Sequence, residues 1–326
     1  MKHFIRSVFF VTLALSLCLL LRGCKKAPEP ITKTSFQLNT VVTITIYDSS
    51  DVSLLEHAID LCDEYENLFS RTRETSEIYR INQGLTNQLS PNTEELLEIA
   101  LSYSRLSGGL FDPSIGPVSS LWDFHAEEPH VPKDEQIQAA LPLINAEKIR
   151  ISNHTITLEE GMSLDLGAIS KGYIADRIKE YLVKQGVKSA VIDLGGNVLC
   201  IGNRPDGTPF QIGVREPFQD TSVAATALSI TDQSVVTSGI YERCFTMDGI
   251  LYHHLLDPHT GYPCENDLAS VTIISDHSVD GDALSTCCFL MGKEKGMALI
   301  DSLADVRAIF ITREGELLYS EGFADD

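Results

Sequence analysis

The chain has 326 residues, 43% of them hydrophobic, with 25 basic against 46 acidic side chains and a formal charge of -21. That length buries one large core or two modest ones, which excludes extensive disorder. So acidic a surface repels nucleic-acid phosphates, and a phosphorylated ligand must be held locally, by helix N-termini, a few cations or a bound metal.

Lys2 and Arg6 precede an apolar run, Val8 to Leu21, that is short for a membrane span and reads as a targeting segment. Gly23-Cys24 follows three leucines and Arg22 in the form of a bacterial lipoprotein signal, with Cys24 as the lipid-bearing residue. The alternative is an uncleaved anchor or an ordinary secretory signal; each places the folded part outside the cytoplasm. The expected division is a signal over 1–24, a solvated tether over 25–35 containing Pro28 and Pro30, and one α+β domain over 36–326.

Val42, Ile44 and Ile46 alternate with Thr43 and Thr45, the pattern of a half-buried strand. A helix follows, with Ser53 and Glu56 at capping-box spacing and an apolar stripe from Leu54 to Tyr65. The stretch NTEELLEIALSYSRLSGG predicts another, capped by Asn92 or Thr93 and stopped at Gly108. Residues 148–158 predict a hairpin turning at Asn153-His154, and the proline-containing loop from His125 to Lys133 a surface excursion. A helix over 169–185 ends at Gly186, SAVIDLGGNVLCIG reads as buried strand with a glycine turn, and 282–303 as an amphipathic helix. Strands and helices mix without a regular βα repeat.

Six cysteines beyond the signal region lack CxxC spacing, and Cys287 and Cys288 sit in the apolar run ALSTCCFLMG as buried free thiols. No GxGxxG opens a helix after a strand and no GxxxxGK[ST] occurs, which disfavours Rossmann and Walker sites.

Three constellations carry chemistry. In DLGAISKGYIAD, Asp165 and the backbone of Gly167 and Ala168 lie at the positive end of a helix, and Lys171 occupies its first turn, where a cation opposes the helix dipole unless it meets an anionic ligand. The alternative is a surface lysine paired with Asp176 or Glu180. In DGDALSTCCF, Asp282 and Thr286 are four apart on one helix face and offer a carboxylate and a hydroxyl, oxygen ligands suited to Mg²⁺. The alternative is a capping aspartate, contributing little to stability, and a threonine bonded back to its own helix. In YHHLLDPHTGYP, His253 and His254 point to opposite faces of a strand, so one of them is a candidate catalytic group or a satisfied turn histidine.

The ordered series FDPSIGPVSSLWDF, DLGAISKGYIAD, VIDLGGNVLCIG, SGIYERCF, YHHLLDPHTGYP and GDALSTCCFLMG resembles the ApbE family of FAD:protein FMN transferases, from about Phe36 to the C-terminus. The resemblance implies an exported, often lipid-anchored enzyme of T-fold-like α+β architecture. Such an enzyme cleaves the FAD pyrophosphate, joins FMN by a phosphoester to a threonine or serine of another protein, and releases AMP. It assigns FAD contacts to Leu38, Leu110, Phe111, Asp112, Asp165, Lys171 and Leu256, and Mg²⁺ ligation to Ala168 through its backbone oxygen, Asp282, Ser285 and Thr286. His254 matches a family histidine and becomes the candidate base. Ser285 stands where a carboxylate occurs in relatives, and Leu38 and Thr72 where methionine and an aromatic occur. The implied acceptors are membrane redox subunits of the sodium-pumping NADH:quinone oxidoreductase or Rnf type. A metal-dependent FAD pyrophosphatase or a non-catalytic flavin-binding lipoprotein would use the same pocket.

Overall fold

The computed structural model describes residues 28–124, 126, 128–220 and 223–323. The targeting segment and Cys24 lie outside the described residues. Among the described residues no helix is long and apolar enough to cross a membrane.

One eight-stranded, wholly antiparallel sheet organises the chain. Its edge strand β1 (Ile31–Gln37) pairs with β2 (Thr40–Ile46) through a turn at Leu38-Asn39, both at positive φ. The tether expected over 25–35 is therefore half wrong: from Ile31 onward it is sheet. Thr32 meets Thr45 at 3.0 Å and Thr34 meets Thr43 at 3.2 Å, cross-strand hydroxyl pairs that let a polar segment pair as well as an apolar one. Beyond β2 come β5 (Ser189–Leu194), β6 (Asn197–Gly202), β9 (Ser234–Gly239), β12 (Leu268–Ser275), β13 (Arg307–Thr312) and β14 (Leu317–Tyr319).

The period-2 pattern divides the core. Val42, Ile44, Ile46, Ile192, Leu194 and Leu199 face one side and share a core with α1 (Val52–Phe69), α2 (Glu77–Asn82), α3 (Pro91–Leu106) and α6 (Ser170–Lys184); the short α4 (Gly116–Ser119) and α5 (Asp134–Ala140) lie between α3 and α6 in the chain. Cys200, Val235, Ile274 and Ile309 face the other, closed by a separate ribbon of β7 (Phe210–Arg215) and β8 (Ala224–Ile230). Each fully buried aliphatic side chain on either face contributes about 1.5–3 kcal/mol. The last long helix, α7 (Ser278–Asp301), lays Leu284, Cys288 and Phe289 on β12 and β13. It begins one turn before the expected start and breaks at Gly292, whose φ of 77° lies outside the helical region.

The hairpin turn falls at Asn153-His154, between β3 (Arg150–Ser152) and β4 (Thr155–Thr157), with both turn residues at positive φ. Gly108 and Gly186 stop their helices at positive φ, as the sequence predicts. The N-caps differ. Asp51 rather than Ser53 caps α1, and Ser90, followed by Pro91 at the first helical position, caps α3 in place of Asn92 or Thr93. All six described cysteines are free, and Cys287 and Cys288 are fully buried.

Candidate active site

The turn into α6 has no side-chain cap of its own: Ile169, at φ -148°, supplies none. The free N–H groups of the first turn are instead met from α7, where Asp282 Oδ2 accepts the Gly172 N–H at 2.9 Å. Gly172 lies in the first turn, where an N–H has no acceptor within its own helix; one residue on, the Tyr173 N–H bonds back to the Ile169 carbonyl at 3.3 Å. The helices can approach so closely because residue 172 is glycine: a Cβ there would lie 2.3 Å from the Ser278 carbonyl oxygen.

Asp282 is only 5% exposed. Burial pushes its carboxyl above the ordinary range, opposed by the Lys171 charge, the Gly172 N–H and the Arg243 charge. One turn on, the Thr286 hydroxyl lies 3.2 Å from Ser238 Oγ rather than bonding back to its own helix. Ser285 does bond back, donating to the Asp282 carbonyl at 2.9 Å, and also lies 2.8 Å from Ser238 Oγ. Asp282 and Thr286 thus present a carboxylate and a hydroxyl one turn apart on α7, with the fully buried Ser285 already committed to protein partners.

Lys171 makes no ion pair among the described residues. Asp176, one alternative partner, is buried and accepts the Ser278 and Val279 N–H groups; Glu180, the other, pairs with Arg177 at 2.9 Å. The Lys171 charge acts instead on Asp282, on Asp193 and on His254. Asp193, at the end of β5, accepts the Gly196 N–H at 2.9 Å, and burial raises its carboxyl against that bond and the lysine.

His253 and His254 do diverge. His253 ends the strand β11 (Ile250–His253), is 2% exposed and meets the edge of Phe289. His254 turns toward Lys171 and Arg243. Desolvation, with the charges of Arg243, His253 and Lys171, lowers it to about 3, so it is neutral at any working pH. Its Nδ1 is buried with no hydrogen-bond partner among the described residues.

The remaining expected contacts are placed differently. Asp165 is engaged: its carboxylate takes the Gly167 N–H at 2.9 Å, Arg71 at 2.9 Å and Ser119 Oγ at 2.7 Å. The Asp112 carboxylate takes the Ser114 N–H and hydroxyl and the Ala146 N–H, and so ties down its own loop. Phe111 is buried in the main core and Leu256 in a second cluster around Trp122, while Leu110 is half-buried. Leu38 is also half-buried, at the β1–β2 tip. That tip abuts the β5–β6 turn below Asp193, where a Cβ on Gly195 would fall 2.0 Å from Thr40 Oγ1.

The ApbE family model matches residues 38–310, most of the chain, including the helix pair and both histidines. The chain belongs to the ApbE family. Among ApbE relatives, an FAD:protein FMN transferase of Klebsiella pneumoniae (strain 342) is 37% identical over 289 residues, covering 87% of this chain and 89% of that protein. One of Treponema pallidum (strain Nichols) is 33% identical over 311 residues, covering 88% and 86%. The solved ApbE protein of Thermotoga maritima superimposes with a TM-score of 0.83 at 29% identity, and the flavin transferase ApbE from Vibrio cholerae with 0.81 at 27%; each comparison covers 90% of this chain and 98% of the other. The ApbE fold, one α+β domain built on a large antiparallel sheet, is thus the fold of this chain.

Sequence reasoning missed Arg71, Asp193, Ser238 and Arg243. Asp193, Ser238 and Arg243 lie inside the motifs VIDLGG and SGIYERCF, but their partners come from distant elements and spacing could not supply them.

Proposed function

We propose that this ApbE-family chain is an Mg²⁺-dependent FAD:protein FMN transferase, exported and lipid-anchored at Cys24, that attaches FMN to a threonine or serine of a membrane redox subunit and releases AMP. The single observation that carries the reading is the Asp282–Gly172 bond, which holds a buried carboxylate at the start of α6, next in sequence to a lysine with no ion pair among the described residues. The names carried by relatives at 37% and 33% identity support the same activity.

The donors fit a hard divalent cation. One carboxylate, one backbone oxygen and one hydroxyl are a set Mg²⁺ accepts, the remaining positions going to water and phosphate. Asp282, Thr286 and, as the family resemblance implies, the Ala168 carbonyl would hold it, while the Ser285 hydroxyl, implied as a further ligand, already bonds the Asp282 backbone carbonyl and lies 2.8 Å from Ser238 Oγ. Bound there, the cation would neutralise pyrophosphate charge.

The chain's own residues account for the rest. Lys171 binds the anionic pyrophosphate, a contact available because it makes no ion pair among the described residues. The acceptor hydroxyl forms a new P–O bond to the FMN phosphorus as the pyrophosphate P–O bond to AMP breaks. Its proton passes to the neutral imidazole of His254, whose unpartnered Nδ1 is the free acceptor. A depressed imidazole is a poor base in the free protein, but an anion beside it raises its affinity for a proton, so His254 becomes competent only with substrate in place. The acidic surface keeps polyanions away in general, and the site itself is where cations gather.

Coexpression with a subunit of the sodium-pumping NADH:quinone oxidoreductase or Rnf type tests the reading. Denaturing gels should show flavin fluorescence on the subunit that depends on this chain and on an acceptor threonine or serine. A subunit that stays free of flavin while FAD is consumed would convert the assignment to a pyrophosphatase.

A further inference from the structure

Arg243 precedes the strand β10 (Cys244–Met247), and β10 pairs antiparallel with β11 so that Cys244 lies opposite His253. The next pair outward is Arg243 and His254, and the His254 N–H donates to the Arg243 carbonyl at 3.1 Å. Directly opposed residues of an antiparallel ribbon project from the same face, and neighbours alternate. His253 takes the face packed on Phe289. Arg243 and His254 therefore share the other face, the one turned to Lys171 and Asp282. Both the His254 imidazole and the Asp282 carboxyl feel the Arg243 charge.

The guanidinium has no ion pair among the described residues. Its chain neighbour Glu242 is taken by Arg215 at 3.2 Å, and Arg215 lies over the Tyr241 ring. In a chain with 46 acidic side chains, two half-buried cations with no ion pair among the described residues, Lys171 from α6 and Arg243 from the ribbon, both act on Asp282 and His254.

We propose that Arg243 is a substrate-binding residue whose guanidinium holds the pyrophosphate of FAD from the ribbon side, across from Lys171. The proposal rests on the transferase reading of this site. A planar fork of N–H donors suits two phosphate oxygens at once, which an ammonium cannot match. With Lys171 on one side and Arg243 on the other, the phosphate chain is fixed in orientation, and the His254 imidazole beside Arg243 is brought to the phosphorus under attack.

Arg243→Gln and Arg243→Lys, each checked for an unchanged thermal midpoint, are titrated with FAD and with riboflavin, which lacks the phosphates. The expected result for Arg243→Gln is FAD binding weakened by about tenfold or more, with riboflavin binding unchanged. Arg243→Lys should keep part of the FAD affinity but show a lower kcat/KM for AMP release, because the charge is retained and the fork is lost. If Arg243→Gln fails to fold, Arg243→Lys carries the test alone. FAD affinity and kcat/KM equal to the parent in the folded variants would overturn the proposal, as would equal losses for FAD and riboflavin, which would make Arg243 a wall of the pocket. A parent protein that binds FAD and never releases AMP would remove the transferase reading itself, whereas a selective loss of FAD affinity in the variants would still establish the phosphate contact.

Discussion

Asp176 and Asp282 cap each other's helices. Asp282 of α7 takes the Gly172 N–H of α6 at 2.9 Å, and Asp176 of α6 takes the Ser278 and Val279 N–H groups of α7 at 2.8 and 2.9 Å. The two helices run past one another in opposite directions, each closed by the other's carboxylate. This lock brings Lys171 and the start of α6 to Asp282, so the fold and the site share one set of hydrogen bonds.

The lock revises what Asp282 should do when it is removed. As an end-of-helix carboxylate it would contribute little to stability, but it is buried and satisfies a backbone donor of a second helix. Asp282→Ala should cost about 1–3 kcal/mol in urea unfolding, through the lost cap and the orphaned N–H. Asp282→Asn keeps an acceptor for Gly172 and should stay within about 1 kcal/mol of the parent, while metal-dependent AMP release falls about a hundredfold or more. An Asn variant of full activity would leave Asp282 as a cap and nothing else.

Gly172→Ala tests the close approach. Alanine is the better helix former by about 1 kcal/mol. Here its Cβ would press on the Ser278 carbonyl oxygen at 2.3 Å and carbon at 2.7 Å, backbone atoms that cannot rotate away. A net loss of about 1–3 kcal/mol is expected, read as a lower urea midpoint with an unchanged slope. A stabilised variant would mean the helices can part without cost.

How much of this could be read from the chain depends on the range of the interactions. The Asn153-His154 turn and the glycine stops at 108 and 186 are local, decided by residues within a few positions, and the sequence predicts them correctly. Strand β1 is polar and follows prolines, so nothing local marks it; it is a strand because β2 is beside it. The site divides the same way. Asp282 and Thr286 are legible as a spaced pair on one helix. That Asp282 faces Gly172, 110 residues earlier, is legible only in the fold. Arg243 was visible as a letter in SGIYERCF, but which way it points is set by the ribbon register with β11.

Lys171→Ala separates ligand binding from metal binding. With no ion pair among the described residues to lose, the lysine contributes to the ligand rather than to the fold. FAD affinity should drop by about 10 to 150-fold, as expected for one charge-assisted contact, and Mg²⁺ affinity measured without FAD should hardly change. Calorimetric titration of each ligand decides it; normal FAD binding would make Lys171 a surface cation.

The paired histidines set an acid limit on stability. Unfolded imidazoles take up a proton near pH 6.5, but in the folded protein burial lowers His253 to about 4 and His254 to about 3. Between these values the unfolded chain binds more protons, so stability falls as the pH drops from about 6.5 toward 4. The carboxyls of Asp176, Asp193 and Asp282, raised by burial, act in the opposite sense as pH rises above 3.8. Comparison with a His253→Asn/His254→Asn variant isolates the imidazoles: between pH 7 and 5 the parent's urea midpoint should fall more steeply than the variant's. Parallel curves would contradict neutral burial of both rings.

The measurement that bears most directly on the central claim is the stoichiometry of FAD turnover by the purified protein with Mg²⁺ and a purified acceptor subunit. The account predicts one AMP released for each flavin that stays on the acceptor after denaturation, with both lost when the acceptor threonine or serine is replaced by alanine. AMP and free FMN appearing in equal amounts, at a rate indifferent to the acceptor, would contradict it.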